Sequence, residues 1–274
     1  MIYIKKFINI LLTSFIIICI GLLCYSGYQI FSWHQSNKKI DEQVDKIDKI
    51  TEVKEVEDSE KVEIVNPPKE TKKTSYYWGF IKVKLIDVNL DELKKINDET
   101  IGWIQVGGTT VNYPIVQHSN NMFYLTHQFD KKYNDAGWIF MDYRNNSKDF
   151  DQNTIIYGHG RLNKTMFGSL KNVVKKSWYS NKDNYIVKIS TESENTLWQV
   201  FSTYRIKTTN DYLQTNFSSD EEYLEFLNML KDRSVFDYKV DLNSNDKIIS
   251  LSTCHNESEK IVLHAKLIKR ENKK

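Results

Sequence analysis

Hydrophobic and polar positions divide the chain into three stretches of different character. From Phe7 to about Ile30 nearly every residue is apolar, from Ser36 to about Thr74 lysine and acidic residues dominate, and from Tyr76 short apolar runs alternate with turn residues. About 20 consecutive apolar residues span a bilayer as a helix. The pattern therefore predicts a short tail (1–6), a transmembrane segment (7–33), a charged stalk (34–75) and a folded domain (76–274).

The flanks of the apolar stretch indicate how it is used. Lys5 and Lys6 precede it, aromatic residues such as Tyr25 and Trp33 lie at its far end, and no small-residue cleavage site follows it. This is typical of an uncleaved signal anchor. Lysines also follow the stretch, so charge alone does not set the orientation. The short tail and the large C-terminal domain favour a single-pass protein of the cell membrane, with its N-terminus in the cytoplasm and its domain outside.

The charged stretch contains apolar residues at three- and four-residue spacing: Ile40, Val44, Ile47, Ile50, Val53 and Val56. This spacing predicts a thin apolar stripe on a helix. Two interpretations are open. The stripe pairs with a second copy in a short coiled coil, or it belongs to a charged, partly helical stalk, which we favour. Pro67 and Pro68 end the helical pattern.

Most predicted elements after Tyr76 are strands. Ile101–Val106 and Val111–Val116, joined through two glycines, predict a hairpin. Asn89 begins one helical pattern, and Ser219–Asp232 predicts a capped helix with one apolar face. Further strands are predicted at Gly137–Met141, Thr154–Tyr157, Tyr185–Ser190, Leu197–Ile206, Ile248–Cys254 and Lys260–Lys269. Many short strands with few helices predict a mainly β domain, closed or nearly closed into a barrel.

Composition argues against several classes of function. The 38 basic and 36 acidic residues nearly balance, so a nucleic-acid partner is not indicated. The chain has no glycine-rich phosphate loop and no cysteine pair with zinc-ligand spacing. His118, His127 and His264 are scattered without ligand spacing. We therefore expect no metal and no cofactor.

Cys254 is the most informative single residue. Cys19 and Cys24 lie in the apolar N-terminal stretch, so Cys254 is the only cysteine outside it. A lone thiol at a strand end, with His159 between two glycines far upstream, is typical of a cysteine nucleophile and its proton-transfer partner. The alternatives are a buried free cysteine and a loop histidine with only a structural hydrogen bond.

Alternation along the predicted cysteine strand separates two faces. One is apolar and carries Ile249 and Leu251, whereas the other carries Ser250, Ser252 and Cys254. This predicts that the thiol lines a groove rather than fills the core.

The segments around Cys254 and His159 resemble the signature segments of sortases. The resemblance is carried by Thr-Ile-Ile-Tyr-Gly-His-Gly at 154–160 and Leu-Ser-Thr-Cys at 251–254, and the segments 101–104, 111–117 and 137–145 are similar to those of class B sortases. The helix predicted at 219–232 lies where class B enzymes insert one. The resemblance covers Tyr76 to the end. It implies a closed sortase-type β-barrel with an N-terminal helix and an inserted helix before the cysteine strand.

That resemblance also implies a membrane-anchored cysteine transpeptidase. Cys254, as thiolate, would attack a backbone carbonyl in a C-terminal sorting motif of Asn-Pro-x-Thr type in a secreted protein, forming a thioacyl enzyme. His159 would donate a proton to the departing amine and accept one when an amine of a lipid-linked peptidoglycan precursor resolves the thioester. The implied partners are secreted proteins with sorting signals, the wall precursor and the membrane.

One residue departs from the family pattern. Sortases carry an arginine at the start of the strand after the cysteine, and the matching residue here is Lys260. Lysine keeps the charge but lacks the planar fork that makes two parallel hydrogen bonds. Three interpretations follow. Lys260 replaces the arginine, which we favour; Arg161 or another arginine takes its place; or the protein is a poor or inactive enzyme.

Three further residues are candidates for substrate binding. Ser252 shares the predicted face of the nucleophile, where it either hydrogen bonds to the sorting peptide or is merely solvated. Tyr212 and Leu213 lead into the inserted helix, where they either line the peptide groove or pack against that helix.

Other functions compete with wall anchoring. A pilin-polymerising sortase uses a lysine of another protein as the resolving amine, and the sequence does not separate it from a wall-anchoring enzyme. A non-catalytic surface protein would keep the fold to bind peptide or wall, and Lys260 is the one feature in its favour. A cysteine transpeptidase acting on D-amino-acid stems would need a Ser-His-Gly-Cys-like pattern, which the chain lacks.

Overall fold

The N-terminal apolar stretch forms the first part of one continuous helix, α1 (Ile2–Ile50). The computed structural model describes residues 2–57, 59–68, 76–254 and 258–273, which fall into two units, one ending at Asp45 and one beginning at Lys46. In this part of the chain, one helix is long and apolar enough to cross a membrane. The charged residues after Ser36 continue α1 without a break, because the segment contains no proline or glycine and is rich in lysine, a good helix former.

The rest of the predicted stalk differs from the prediction. Val53–Val56 is a strand, β1, which pairs antiparallel with β3 (Leu85–Val88), and Val62–Ile64 is a second strand, β2. The predicted helical stripe is therefore wrong at Val53 and Val56, which are β-branched residues in extended backbone. The paired sheet begins before the predicted boundary at Tyr76. The end of the predicted stalk, residues 69–75, lies outside the described residues.

Eight strands close into a barrel in the described part of the chain. Their order is β10-β7-β6-β5-β4-β8-β9-β11, and pairing of β10 with β11 completes the ring, while β2 adds to the far end of β11. The strands are β4 (Thr100–Val106), β5 (Asn112–Val116), β6 (Phe140–Met141), β7 (Asn153–His159), β8 (Ile186–Thr191), β9 (Glu194–Lys207), β10 (Ile248–Cys254) and β11 (Glu259–Asn272). The predicted mainly β, closed barrel is confirmed.

Local patterns predicted most of these elements within a few residues. The hairpin is β4 and β5, and the helices are α2 (Tyr77–Phe80), α3 (Asp91–Ile96), α4 (Lys176–Tyr179) and α5 (Asp220–Asp232). The α5 cap is Ser219, whose Oγ accepts a hydrogen bond from the Glu222 amide at 3.2 Å. The predicted apolar face of α5 is buried. The strand predicted over Gly137–Met141 shrinks to β6, since Gly137 has a left-handed φ of 59°.

Candidate active site

Strand register brings Cys254 and His159, the predicted nucleophile and proton-transfer partner, next to each other. β10 runs parallel to β7 on one side and antiparallel to β11 on the other, so Cys254 is directly opposite His159 and also directly opposite Lys260. Neighbouring strands lie about 4.8 Å apart. Three residues that are far apart in sequence thus form one row across three adjacent strands. The side chain of Cys254, and with it the predicted groove-lining thiol, lies outside the described residues.

The His159 imidazole is oriented by a backbone carbonyl. Its Nε2 lies 2.7 Å from the carbonyl oxygen of Leu125, in the turn that ends the short 3₁₀ helix Phe123–Leu125. A carbonyl only accepts hydrogen bonds, so Nε2 carries a hydrogen. Nδ1 is therefore the ring nitrogen that exchanges a proton in any acid–base step. No local pattern in the sequence indicates this contact, because it joins residues 34 positions apart on different elements.

Gly137 lies directly beside that imidazole. Its φ of 59° is in the left-handed region, and a Cβ added there would be 2.9 Å from Cδ2 of His159 and 2.4 Å from the carbonyl oxygen of Tyr124. Only glycine fits without displacing the ring or the backbone. Sequence reasoning assigned Gly137 to a strand and missed this contact.

The serine-bearing face of β10 is buried at Ser250 and Ser252. Ser252 is 5% exposed, and its Oγ lies 2.9 Å from the hydroxyl of Tyr212, which is 1% exposed. The Tyr212 side chain therefore packs onto β10, the strand of Cys254. Leu213 is half-buried. The polar residues on this face serve an internal hydrogen-bond network, because the segment between β9 and α5 covers them.

No pattern in the sequence indicates the ion pair between Arg144 and Asp142, which lies next to Leu213 in the segment between β9 and α5. Arg144 Nε donates to Asp142 Oδ1 at 2.9 Å, and Arg144 Nη2 donates both to Asp142 Oδ2 at 2.8 Å and to the carbonyl oxygen of Leu213 at 3.0 Å. Burial opposes ionisation of Asp142, but the hydrogen bonds from Arg144 and Tyr157 outweigh it and hold the pKa of this carboxyl below its usual range. The Asp142 carboxylate thus fixes the guanidinium that faces Leu213.

Lys260 is half-buried on β11, in the same row as Cys254. The guanidinium groups of Arg144, Arg233 and Arg270 form ion pairs with Asp142, Asp211 and Glu194. Arg161 is half-buried in the turn two residues after His159. Lys260 is therefore the basic residue that strand pairing sets directly opposite Cys254 in the described part of the chain.

The other three histidines considered as metal ligands, His118, His127 and His264, make hydrogen bonds away from the row of His159, Cys254 and Lys260. His118 Nδ1 lies 2.7 Å from Glu99 Oε1, and His127 Nδ1 lies 2.8 Å from the carbonyl oxygen of Phe123. His264 is fully buried, and burial lowers its pKa to about 3. Among the described residues, no cluster of three or more histidine, cysteine or acidic side chains could hold a metal ion.

Comparison with known proteins shows similarity to the sortases. Residues 104–268 match the family model described as "Sortase domain". Sortase B of Staphylococcus aureus is 37% identical over 183 residues, and sortase B of Listeria monocytogenes is 33% identical over 192 residues; each alignment covers 65% of this chain and 74% of the relative.

Solved structures of sortase B show the same fold. A Staphylococcus aureus sortase B–substrate complex has a TM-score of 0.62 and 37% sequence identity, and it covers 66% of this chain and 84% of that one. A sortase B complexed with triglycine has the same TM-score and identity, covering 66% of this chain and 85% of that one. A Bacillus anthracis sortase B in complex with AAEK1 has a TM-score of 0.61 at 37% identity, covering 66% and 84%.

Proposed function

Since this chain belongs to the class B sortases, which are cysteine transpeptidases of the cell wall, we propose that Cys254, His159 and Lys260 are its catalytic residues. The observation that carries this proposal is the strand register, which sets His159 and Lys260 directly opposite Cys254 on the two neighbouring strands. A nucleophile, an acid–base and a cation in one row supply what acyl transfer through a thioester needs.

In the first half-reaction, the Cys254 thiolate attacks the carbonyl carbon of the scissile peptide bond and forms a C–S bond. The carbonyl oxygen becomes an oxyanion, which the Lys260 ammonium stabilises. The C–N bond then breaks, and the departing amine takes a proton from Nδ1 of His159, while Nε2 keeps its hydrogen bond to Leu125. The products are a thioester on Cys254, a neutral imidazole and the released C-terminal peptide.

In the second half-reaction, an amine attacks the thioester carbon. Nδ1 of the neutral His159 accepts the proton that the attacking nitrogen loses, and collapse of the oxyanion breaks the C–S bond. The Cys254 thiolate and the His159 imidazolium are regenerated, so protons and charge balance over the cycle. The net result is exchange of one amide bond for another.

Lys260 stands where the family carries arginine, and we propose that it fulfils the same role less strongly. An ammonium presents a compact charge with rotating donors, whereas a guanidinium makes two parallel hydrogen bonds. Loss of one oxyanion donor costs about 10²–10³ in rate, so a weaker donor is compatible with activity. Arg161, in the turn after His159, is the alternative donor.

We propose a sorting motif of Asn-Pro-x-Thr type as the donor substrate and a peptidoglycan precursor amine as the acceptor. The support is similarity to sortase B proteins solved with a substrate and with triglycine, a peptide with a free amine. A lysine of another protein, as in pilin polymerisation, is the alternative acceptor. A non-catalytic peptide- or wall-binding role is the competing function, and the lysine at position 260 is the observation that favours it.

The apolar part of α1 is proposed to anchor the protein in the cell membrane. The helix is long and apolar enough to span a bilayer, and Lys5 and Lys6 precede its apolar core. The proposed orientation has the N-terminus in the cytoplasm and the barrel outside, where secreted proteins and wall precursors are present.

The test is cleavage of fluorogenic Asn-Pro-x-Thr peptides by the detergent-solubilised full-length chain. Cleavage should vanish in Cys254→Ala and fall about 10²-fold in Lys260→Ala. A shortened chain must keep β1 and β2, which pair with β3 and β11. Unchanged cleavage in Lys260→Ala would transfer the oxyanion role to another donor. Absence of cleavage for every motif, with added amine and reduced thiol, would favour the binding function.

A further inference from the structure

Residues 212–214, which we call the clamped segment, are held to the barrel through three consecutive backbone carbonyls. Asn153 Nδ2 donates to the carbonyl oxygens of Tyr212 at 3.3 Å and Gln214 at 2.8 Å. Arg144 Nη2 donates to the carbonyl oxygen of Leu213 at 3.0 Å. Connecting loops are usually among the more mobile parts of a protein. Here side chains from β7 and from the segment after β6 bind every carbonyl of the stretch.

The carbonyls dictate the direction of a longer hydrogen-bond chain. They can only accept, so Asn153 must turn its amide NH₂ toward them and its Oδ1 toward Ser250. Ser250 Oγ then donates to Asn153 Oδ1 at 2.7 Å and must accept from His264 Nδ1, also at 2.7 Å. This fixes the hydrogen of His264 on Nδ1.

The series of hydrogen bonds continues from His264 to Tyr204 on β9, the strand that leads into the loop containing the clamped segment. With its hydrogen on Nδ1, His264 accepts at Nε2, so the Tyr204 hydroxyl donates to it at 2.8 Å. Arg233 raises no barrier to this arrangement, because its guanidinium is held in an ion pair with Asp211, the residue just before the clamped segment. We call the hydrogen-bonded series from Tyr204 to Asn153 the polar relay; its members are Tyr204, His264, Ser250 and Asn153.

The polar relay joins the loop to both strands of the candidate catalytic pair. Ser250 lies on β10 with Cys254, and Asn153 lies on β7 with His159. Asn153, Ser250 and His264 have no exposed surface, and Tyr204 is 2% exposed. A buried network with every group satisfied is rigid, and it loses much of its strength when one member is removed. The relay therefore fixes the loop relative to β7 and β10.

We propose that the polar relay is a positioning device that sets peptide affinity by holding the clamped segment in place before substrate binds. The inference rests on the proposed function and on the sequence-based prediction that Tyr212 and Leu213 line the peptide groove. Relay residues do not touch the peptide; they act through the clamped segment. A preformed wall avoids the cost of ordering a loop on binding. Loss of the relay should therefore raise KM and leave kcat nearly unchanged.

The experiment uses the full-length protein with Ser250→Ala, which interrupts the polar relay at its centre. Ser250→Thr keeps the hydroxyl and serves as the rescue, and Tyr204→Phe removes a different hydroxyl without adding volume. Leu263→Ala is the matched control, because Leu263 is fully buried on β11 but is not a relay member. Amide hydrogen exchange over residues 211–216 and the kinetics of peptide cleavage are measured for each.

We expect exchange in 211–216 to quicken about tenfold relative to the barrel strands in Ser250→Ala and Tyr204→Phe, and KM to rise about tenfold. That factor corresponds to about 1.4 kcal/mol, within the range for a buried polar group left unpaired. Ser250→Thr should restore both. Equal quickening in every strand, or the same KM rise in Leu263→Ala, would overturn the proposal. If the wild type cleaves no peptide, the proposed function has failed, and the exchange pattern still decides whether the relay holds the segment.

Discussion

Replacement of Gly137 by alanine tests how tightly the His159 imidazole is held. The new Cβ would lie 2.4 Å from the carbonyl oxygen of Tyr124 and 2.9 Å from both the carbonyl oxygen of Leu125 and Cδ2 of His159. Two of these neighbours are backbone atoms, and the third belongs to the proposed acid–base. The Leu125 oxygen is also the acceptor that fixes Nε2. The methyl group therefore strikes both partners of the orienting hydrogen bond.

The size of the effect follows from these distances. Ordinary van der Waals contact begins at 3.4 Å. The imidazole and the Leu125 carbonyl must therefore withdraw by about 0.5 Å, and the Tyr124 carbonyl by about 1 Å. A misplacement of about 1 Å at a reacting group costs about 10² in rate, which gives an expected fall in kcat/KM of about 10- to 100-fold. The left-handed φ adds a stability cost of about 1–2 kcal/mol for any residue with a Cβ.

Gly108→Ala is the matched control. Gly108 has a similar φ of 64° in the turn between β4 and β5, and its added Cβ would meet the side chain of Asn184 rather than His159. Thermal unfolding and peptide cleavage are measured for both variants well below their melting temperatures. Both should lose stability, but only Gly137→Ala should lose activity. Activity of folded Gly137→Ala within about threefold of wild type, or an equal loss in Gly108→Ala, would refute the reasoning.

Two further predictions concern the buried His264 and Lys260, the proposed oxyanion donor. The pKa of His264 is lowered to about 3 by burial and by Arg233. Between pH 6.5 and 3 the unfolded chain therefore binds a proton that the folded chain does not, and the free energy of unfolding should fall by up to ~1.4 kcal/mol per pH unit on acidification, with no contribution above pH 6.5. Urea unfolding at several pH values should show this slope in wild type and a slope lower by about one proton in His264→Gln; equal slopes would contradict the assignment. Lys260→Arg should cleave peptide at least as fast as wild type, since a guanidinium can make two parallel hydrogen bonds to the oxyanion and its neighbour. A rate below that of Lys260→Ala would show that the site does not accept an arginine there.

Local patterns predicted the elements whose signals lie close together in sequence. The β4–β5 hairpin and α5 with its Ser219 cap follow from turn residues, alternation and helical spacing within a short window. The pairing of Cys254 with His159 was anticipated because each was predicted at or near a strand end. The charged stretch hid β1 and β2, since a composition rich in lysine and glutamate masks strands whose stability comes from pairing with β3 and β11.

Contacts between distant parts of the chain were beyond sequence reasoning. Ser250 and Asn153 are 97 positions apart, and the sequence does not indicate that Asn153 and His264 hydrogen bond to the Ser250 hydroxyl inside the domain. Gly137 is predicted to be a strand residue, although the imidazole of His159 is what requires a glycine there. Alternation identifies which residues share a face, but what covers that face depends on tertiary packing.

Intact-mass measurement of the acyl-enzyme tests the central claim most directly. The full-length chain is incubated with an Asn-Pro-x-Thr peptide without an acceptor amine, quenched in acid and weighed. We predict a mass increase equal to the peptide portion before the cleaved bond, located on Cys254, absent in Cys254→Ala and discharged when triglycine is added. An adduct that persists in Cys254→Ala, or peptide cleavage without any adduct on wild type under these conditions, would contradict it.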